Sequence, residues 1–204
     1  MNFPVETNYY LFTSVMALSY LFGSVSFGIV IARVMNLGNL RSIGSGNIGA
    51  TNVLRTGNKT AAALTLLLDG GKGYLVVYMT ISIFEQTYLP FTSIAVFLGH
   101  SFPIYYKFKG GKGVATFLGI ILATNILVGI TVCGTWLLVA TLSKKSSLAA
   151  LGCSLVTPFF LFISNPYEKV LFTVILATLI WWLHKENIKR LMLGTEPSIK
   201  LTLK

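Results

Sequence analysis

Three short stretches of this chain hold the side chains that can do chemistry. The first reads Gly44-Ser45-Gly46-Asn47-Ile48-Gly49-Ala50-Thr51-Asn52-Val53-Leu54-Arg55. Glycine allows positive φ and close approach of backbone to a ligand. Successive N–H groups in such a loop form a cradle for an anion. Ser45, Asn47, Thr51 and Asn52 add neutral hydrogen-bonding groups, and Arg55 adds a planar fork that matches a phosphate. A Gly/Asn-rich turn between two helices would have similar spacing. It would not need so many donors beside one arginine, and no acidic residue occurs from Arg33 to Leu68.

The second stretch runs Gly99-His100-Ser101-Phe102-Pro103, then Phe108-Lys109-Gly110-Gly111-Lys112-Gly113-Val114-Ala115-Thr116. Gly-Gly-Lys-Gly is a flexible backbone with one reaching cation. It differs from a Walker A loop, because Gly113 stands where Ser or Thr would hold magnesium and no strand precedes it. It suits an anion bound at a helix start near Val114, with Gly110, Gly111, Lys112, Gly113, Val114, Ala115 and Thr116 as the binding element. Lys107 and Lys109 read as lysines snorkelling to lipid headgroups. His100 reads as a structural hydrogen-bonding partner, expected to support the first loop from beneath.

The third stretch is Trp181-Trp182-Leu183-His184-Lys185-Glu186-Asn187-Ile188-Lys189-Arg190, followed by Gly194-Thr195-Glu196. His184 and Asn187 are spaced to share a helical face. Beside a phosphate, a histidine can donate to or accept from an oxyanion. Lys185, Lys189 and Arg190 read instead as a basic juxtamembrane face for anionic lipid. A second glycine-lysine string, Asp69-Gly70-Gly71-Lys72-Gly73, lies inside an apolar run. Asp69 and Lys72 can pair across one helical turn. A charged pair in an apolar segment is costly, and both a functional and an anchoring role stand open.

The elements that position these stretches follow from composition. Of 204 residues, 54% are hydrophobic and only 11% charged, against ~25% charged in a soluble domain. So much apolar surface needs lipid around it. The net charge of +10 comes from clusters between apolar runs, which fits cytoplasmic loops, anionic headgroups or anionic substrates. No basic stripe alternates with surface aromatics, so nucleic acid is excluded as a partner. Cys133 and Cys153 sit in apolar runs without CxxC spacing and read as membrane-buried thiols. The first run has no basic residue ahead of it and reads as a retained helix, not a signal peptide.

Apolar runs recur at Tyr9–Ile31, Ala61–Phe84, Phe91–Tyr106, Phe117–Leu142, Leu148–Ile163 and Val170–Leu183. As one span, Phe117–Leu142 would put Lys144 and Lys145, and with them Lys185, Lys189 and Arg190, on the side opposite the bases of the earlier loops, against the positive-inside rule. A split near Thr124–Asn125 puts both clusters on the side of Arg33, Arg41, Arg55, Lys59, Lys107, Lys109 and Lys112. Lys169 then remains as an outside base. The expected fold is therefore an all-α integral membrane protein: seven transmembrane helices, the N-terminus outside, the C-terminus cytoplasmic, and one membrane-embedded domain over residues 1–204. Two of the helices are short and imply tilt or local thinning. All three reactive stretches then face the cytoplasm.

Certain chemistries are absent. Tyr105 and Lys189 follow the two histidines where an HxxxxD motif would need aspartate. No serine-nucleophile elbow and no paired carboxylates for two metals occur. The loops are rich in cations and neutral donors and poor in bases. That suits two anionic reactants whose reaction needs charge stabilisation more than proton abstraction.

The strings SGNIGATNVLR, GHSFPIYYKFKGGKGVAT and HKENIKRL, in this order, resemble the bacterial acyl-phosphate:glycerol-3-phosphate acyltransferase family, and the resemblance runs from Gly23 to Glu196. It implies transfer of an acyl group from acyl phosphate to glycerol 3-phosphate, giving 1-acyl-glycerol 3-phosphate (lysophosphatidic acid) and phosphate in the bacterial inner membrane, with no cofactor or metal. A soluble enzyme that forms acyl phosphate is the implied upstream partner. Carried over by match, Ser45 and Arg55 are implied glycerol-3-phosphate ligands. Gly110–Thr116 with Lys112 is the implied acyl-phosphate element. His184 and Asn187 are the implied pair that orients the glycerol hydroxyl and the acyl phosphate. Two other classes would share some features. A phosphate transporter would show repeat symmetry and a midplane site, and a basic lipid-binding scaffold would leave the first stretch unexplained.

Overall fold

The apolar runs become helices because a helix satisfies its backbone N–H and C=O groups within its own segment, as lipid requires. The computed structural model describes residues 9–164 and 168–199. The acidic start containing Glu6 lies outside the described residues. In chain order the helices are α1 Tyr9–Gly23, α2 Phe27–Val34, α3 Ala50–Leu54, α4 Lys59–Ile83, α5 Leu89–Ser101, α6 Val114–Thr124, α7 Ile126–Ser143, α8 Ser146–Ser164, α9 Glu168–Leu183 and α10 Lys185–Met192. Four stretches among the described residues are long and apolar enough to cross a bilayer: Tyr9–Val34, Lys59–Ile83, Ile126–Ser143 and Ser146–Ser164. Val114–Thr124 and Lys169–Leu183 are shorter apolar helices.

The long run after Phe117 breaks at Asn125, close to where charge parity placed the division. Asn125 is extended, and its side chain caps α7 by accepting from the Val128 amide at 3.1 Å. The core lies where α4, α5, α6, α8 and α9 meet, around Val77, Phe97, Phe117, Ile121, Leu161, Phe172 and Leu176. A smaller cluster of Ile31, Leu40, Ile48, Val53 and Ala61 lies beneath the first loop. Leucines such as Leu67, Leu75, Leu127 and Leu138 point outward and are exposed, as lipid-facing side chains are.

The first apolar run is not one helix, contrary to expectation. It breaks at Ser24–Ser26 between α1 and α2. The reason is Lys72, whose Nζ donates to the carbonyls of Gly23 at 2.9 Å and Val25 at 2.7 Å. Lys72 also pairs with Asp69 Oδ1 at 3.0 Å, and that oxygen accepts from the Phe27 amide at 3.4 Å. The ion pair therefore satisfies backbone groups that the break leaves unpaired, at both sides of it. Asp69 and Lys72 are 2% and 1% exposed, so no water could take over. The surrounding glycines belong to helix α4, not to a second loop. A Cβ on Gly73 would lie 2.4 Å from the Thr116 carbonyl, and one on Gly119 would lie 1.9 Å from that of Gly70. Small residues thus let α4 and α6 approach closely, as packing within lipid favours.

Candidate active site

Four connecting segments meet at one end of the bundle: loop one between α2 and α4, loop two between α5 and α6, the α7–α8 turn, and the segment from α10 to Ile199. Arg41 of loop one donates to the Lys109 carbonyl of loop two at 2.5 Å. Lys112 Nζ donates to Asn187 Oδ1 on α10. Lys145 Nζ, in the α7–α8 turn, donates to the Glu196 carbonyl. Between loop one, loop two and the ends of α5 and α9 lies a cavity of about 280 Å³. Its walls are Ser45, Gly46 and Asn47 of loop one, Ser101 at the end of α5, Phe108, Lys109, Gly110, Gly111 and Lys112 of loop two, and Leu183 at the end of α9.

Loop one is shaped by Asn52, which is 2% exposed. Its Oδ1 accepts from the Ser45 amide at 3.1 Å, Ser45 Oγ at 3.4 Å and Arg55 Nη1 at 3.1 Å. Its Nδ2 donates to the carbonyls of Leu40 at 2.8 Å and Asn47 at 2.7 Å. All its hydrogen-bonding capacity is used. Asn52 therefore acts as a scaffold for the loop. Ser45 and Asn47 face the cavity, and Arg55 stands behind Asn52. Thr51 is half-buried in the short α3.

Loop two is packed on His100. The amides of Gly110 and Gly111 donate to the carbonyls of Ser101 at 3.1 Å and His100 at 3.2 Å, capping the end of α5. Those two amides are thus already used, and the N–H groups left for an anion are those at the start of α6. A Cβ on Gly111 would stand 2.3 Å from His100 Nε2. These contacts correct the expected position of His100: its ring lies under loop two. Its Nδ1 is 3.5 Å from Asp69 Oδ1, a contact longer than a good hydrogen bond. Gly113 has φ +75°, and a side chain there would meet the Phe97 ring at 2.1 Å, so only glycine turns the chain into α6 here. Thr116 is fully buried and donates to the Asp69 carbonyl at 2.9 Å. Its hydroxyl ties α6 to α4 and is not free for a ligand.

The third stretch supplies His184 and Asn187, both buried. His184 Nδ1 lies 2.7 Å from the Ile180 carbonyl. That acceptor requires the proton on Nδ1 and leaves Nε2 with a lone pair. Burial, then the Lys112 charge, push His184 down to about 4, against the bond to Ile180 and the Glu196 charge. Burial, then Arg190, push Lys112 down to about 8, against Glu196 and Glu186. At neutral pH His184 is uncharged and Lys112 is a cation. Arg55 is lowered by burial, with Glu196 opposing and Arg190 adding to the effect.

Glu196 is the residue that motif reasoning passed over. It is 5% exposed. Its Oε1 accepts from Ser147 Oγ at 2.7 Å and Asn187 Nδ2 at 2.6 Å, and its Oε2 from Arg190 Nε at 2.7 Å. Burial pushes its carboxyl up, but these three hydrogen bonds and the Arg190 charge outweigh that and hold it below its ordinary range. Arg190 is accordingly an internal partner, which corrects its reading as a lipid-facing base. Lys185 is exposed, with Nζ 5.9 Å from the Trp182 ring. The signal in the sequence was scarcity, since Glu196 is one of only six Asp and Glu residues in a chain of net charge +10.

The chain that carries this cavity, with Lys112, Ser45 and Asn47 on its walls, is similar to known proteins. The family model for glycerol-3-phosphate acyltransferase matches residues 13–194. A glycerol-3-phosphate acyltransferase of Jannaschia sp. (strain CCS1) is 48% identical, covering 97% of this chain and 98% of that one. One of Ruegeria sp. (strain TM1040) is 50% identical, over 89% and 90% of the two chains. Among solved structures, the glycerol 3-phosphate form of PlsY (YgiH), an integral membrane glycerol 3-phosphate acyltransferase, superposes with a TM-score of 0.88 at 36% identity, over 92% of this chain and 94% of that one. A second crystal structure of that enzyme, in its lysophosphatidic acid form, gives 0.84 at 34% identity. The chain belongs to the glycerol-3-phosphate acyltransferase family.

Proposed function

We propose that this chain transfers an acyl group from acyl phosphate to the 1-hydroxyl of glycerol 3-phosphate, releasing phosphate and leaving 1-acyl-glycerol 3-phosphate in the membrane. The observation that carries this reading is one cavity that joins Ser45 and Asn47 to Lys112, itself bonded to Asn187. Such a site offers charge to two anions. Its acid, Glu196, is held by three donors, so it is not a base in waiting.

The reaction then proceeds without a protein base. The glycerol oxygen attacks the acyl carbon, the bond from acyl carbon to phosphate oxygen breaks, and the departing phosphate takes the hydroxyl proton. Lys112 and the first-turn amides of α6 stabilise the phosphate charge as it develops. Asn187 holds Lys112 in place. His184 Nε2, kept neutral, accepts from the glycerol hydroxyl and aims it. Ser45, Asn47 and Arg55 hold the glycerol phosphate, with Thr51 beside them. Asp69, Lys72 and His100 support loop two from the core.

Seven spans fit this reading: α1 with α2, then α4, α5, α6, α7, α8 and α9. The basic segments share one end, as Lys145 and Arg190 do through Glu196. With the positive-inside rule, that end is cytoplasmic, in the bacterial inner membrane, the N-terminus is outside, and the whole chain is one domain. A soluble enzyme making acyl phosphate supplies the donor. Purified protein given palmitoyl phosphate and glycerol 3-phosphate tests this: lysophosphatidic acid should appear with equimolar phosphate. Failure to form product from acyl phosphate, with turnover from a thioester donor, would overturn the donor assignment.

A further inference from the structure

We propose that Ser101 is a further substrate-binding group, its hydroxyl donating to a phosphoryl oxygen of a bound reactant; this rests on the acyl-transfer reading above. Ser101 is the last residue of α5 and 3% exposed. It forms part of the cavity wall with Ser45, Asn47 and Lys112. Its Oγ has no hydrogen-bond partner among the described residues.

That last fact sets it apart from other hydroxyls in these helices. Ser19, Ser24, Thr65 and Thr80 each donate to the carbonyl four residues earlier, at 2.7 to 2.9 Å. This is the ordinary way to satisfy a hydroxyl in an apolar helix. Ser101 does not. Its backbone is nonetheless held, since its carbonyl accepts from the Gly110 amide at 3.1 Å. A buried hydroxyl without an acceptor costs its desolvation, and folded chains rarely leave one unpaired. At the wall of a cavity beside Lys112, the acceptor that would complete it is an anionic oxygen. A hydroxyl donating to such an oxygen forms a charge-assisted bond. A phosphoryl group in the cavity therefore gains a neutral donor from α5 in addition to those of loops one and two.

Ser93 provides the contrast. Its Oγ is also buried and without a partner among the described residues, but Ser93 is not part of the cavity wall. The experiment compares Ser101→Ala, Ser101→Thr, Ser101→Val and Ser93→Ala with the parent protein, in detergent. It measures KM for glycerol 3-phosphate and for palmitoyl phosphate separately, and binding of inorganic phosphate directly by calorimetry. Removing the hydroxyl should weaken phosphate binding and raise KM for one substrate by roughly tenfold, the loss of one hydrogen bond to a charged group, with kcat changed less. The substrate whose KM moves identifies the phosphoryl group that Ser101 holds. Thr and Val have the same shape, so Ser101→Thr should keep parental values while Ser101→Val loses them. Ser93→Ala should behave as the parent. Equal KM and phosphate affinity for Ser101→Thr and Ser101→Val would overturn the proposal even with acyl transfer intact. If the parent protein makes no lysophosphatidic acid, the acyl-transfer reading falls, and phosphate binding by the Thr and Val variants still decides the role of Ser101.

Discussion

Lys112 Nζ donates to Asn187 Oδ1 across 75 residues of sequence, and the same Asn187 donates from Nδ2 to Glu196. The reaching cation of loop two is thus aimed by a helix that follows the last long apolar run. Asn187→Ala should lower kcat by about 100-fold while KM moves less, because a misplaced charge stabilises the transition state poorly. Lys112→Ala should nearly abolish turnover. The double variant should be no worse than Lys112→Ala alone, since both act through one group. Steady-state kinetics on the three proteins checks this, and independent, multiplying losses would count against it.

The alkaline side of the pH profile should belong to Lys112. Its ammonium is held down to about 8, so its charge is lost as pH rises through that value. In kcat/KM, which reports the free enzyme, activity should fall above about pH 8. Lys112→Arg should flatten this limb, because a guanidinium stays charged. His184 is held down to about 4 and stays neutral from pH 7 to pH 5, so it adds no acid limb in that range. A parental profile still flat well above pH 9 would contradict the assignment.

Arg55 and Asn52 should separate binding from folding. Arg55→Ala should raise KM for glycerol 3-phosphate by tenfold or more with little change in Tm, since the guanidinium is only partly enclosed and its side-chain bond is the one to Asn52. Asn52→Ala removes five hydrogen bonds from loop one. It should cost about 2–4 kcal/mol and lower Tm as well as activity. Thermal unfolding beside kinetics tells the two apart.

Asp69 and Lys72 should behave as a coupled pair. Lys72→Met leaves the Asp69 carboxylate and the Gly23 and Val25 carbonyls without their cation, and should destabilise by about 3–5 kcal/mol. Adding Asp69→Asn should recover part of that loss, because no unpaired charge then remains buried. Unfolding of the single and double variants in detergent gives the coupling energy. Additive losses would show that the two side chains act separately.

Glu196→Gln should move the alkaline limb of kcat/KM to lower pH. The Glu196 charge raises Lys112, so removing it lowers that group below about 8. The variant should also lose stability, since Arg190 keeps its charge but loses its partner. A limb that stays in place would mean that the Glu196 charge does not reach Lys112 across the site.

Much of this protein was legible in its residues. The membrane class follows from 54% hydrophobic and 11% charged residues, because lipid is the only solvent for such a surface. The break at Asn125 followed from charge parity, since lysines at two loops cannot share a side unless an extra span separates them. Loop one and loop two declared themselves by local chemistry, which spacing carries. The long-range pairings were not legible. Nothing local in Asn52 distinguishes a ligand from a scaffold, because the difference lies in whether its amide is already used by Leu40 and Ser45. The roles of Lys72 as the cap of a broken first helix and of Glu196 as the anchor of Ser147, Asn187 and Arg190 exist only once distant helices pack. Burial then makes each unpaired group costly and so selects its partner.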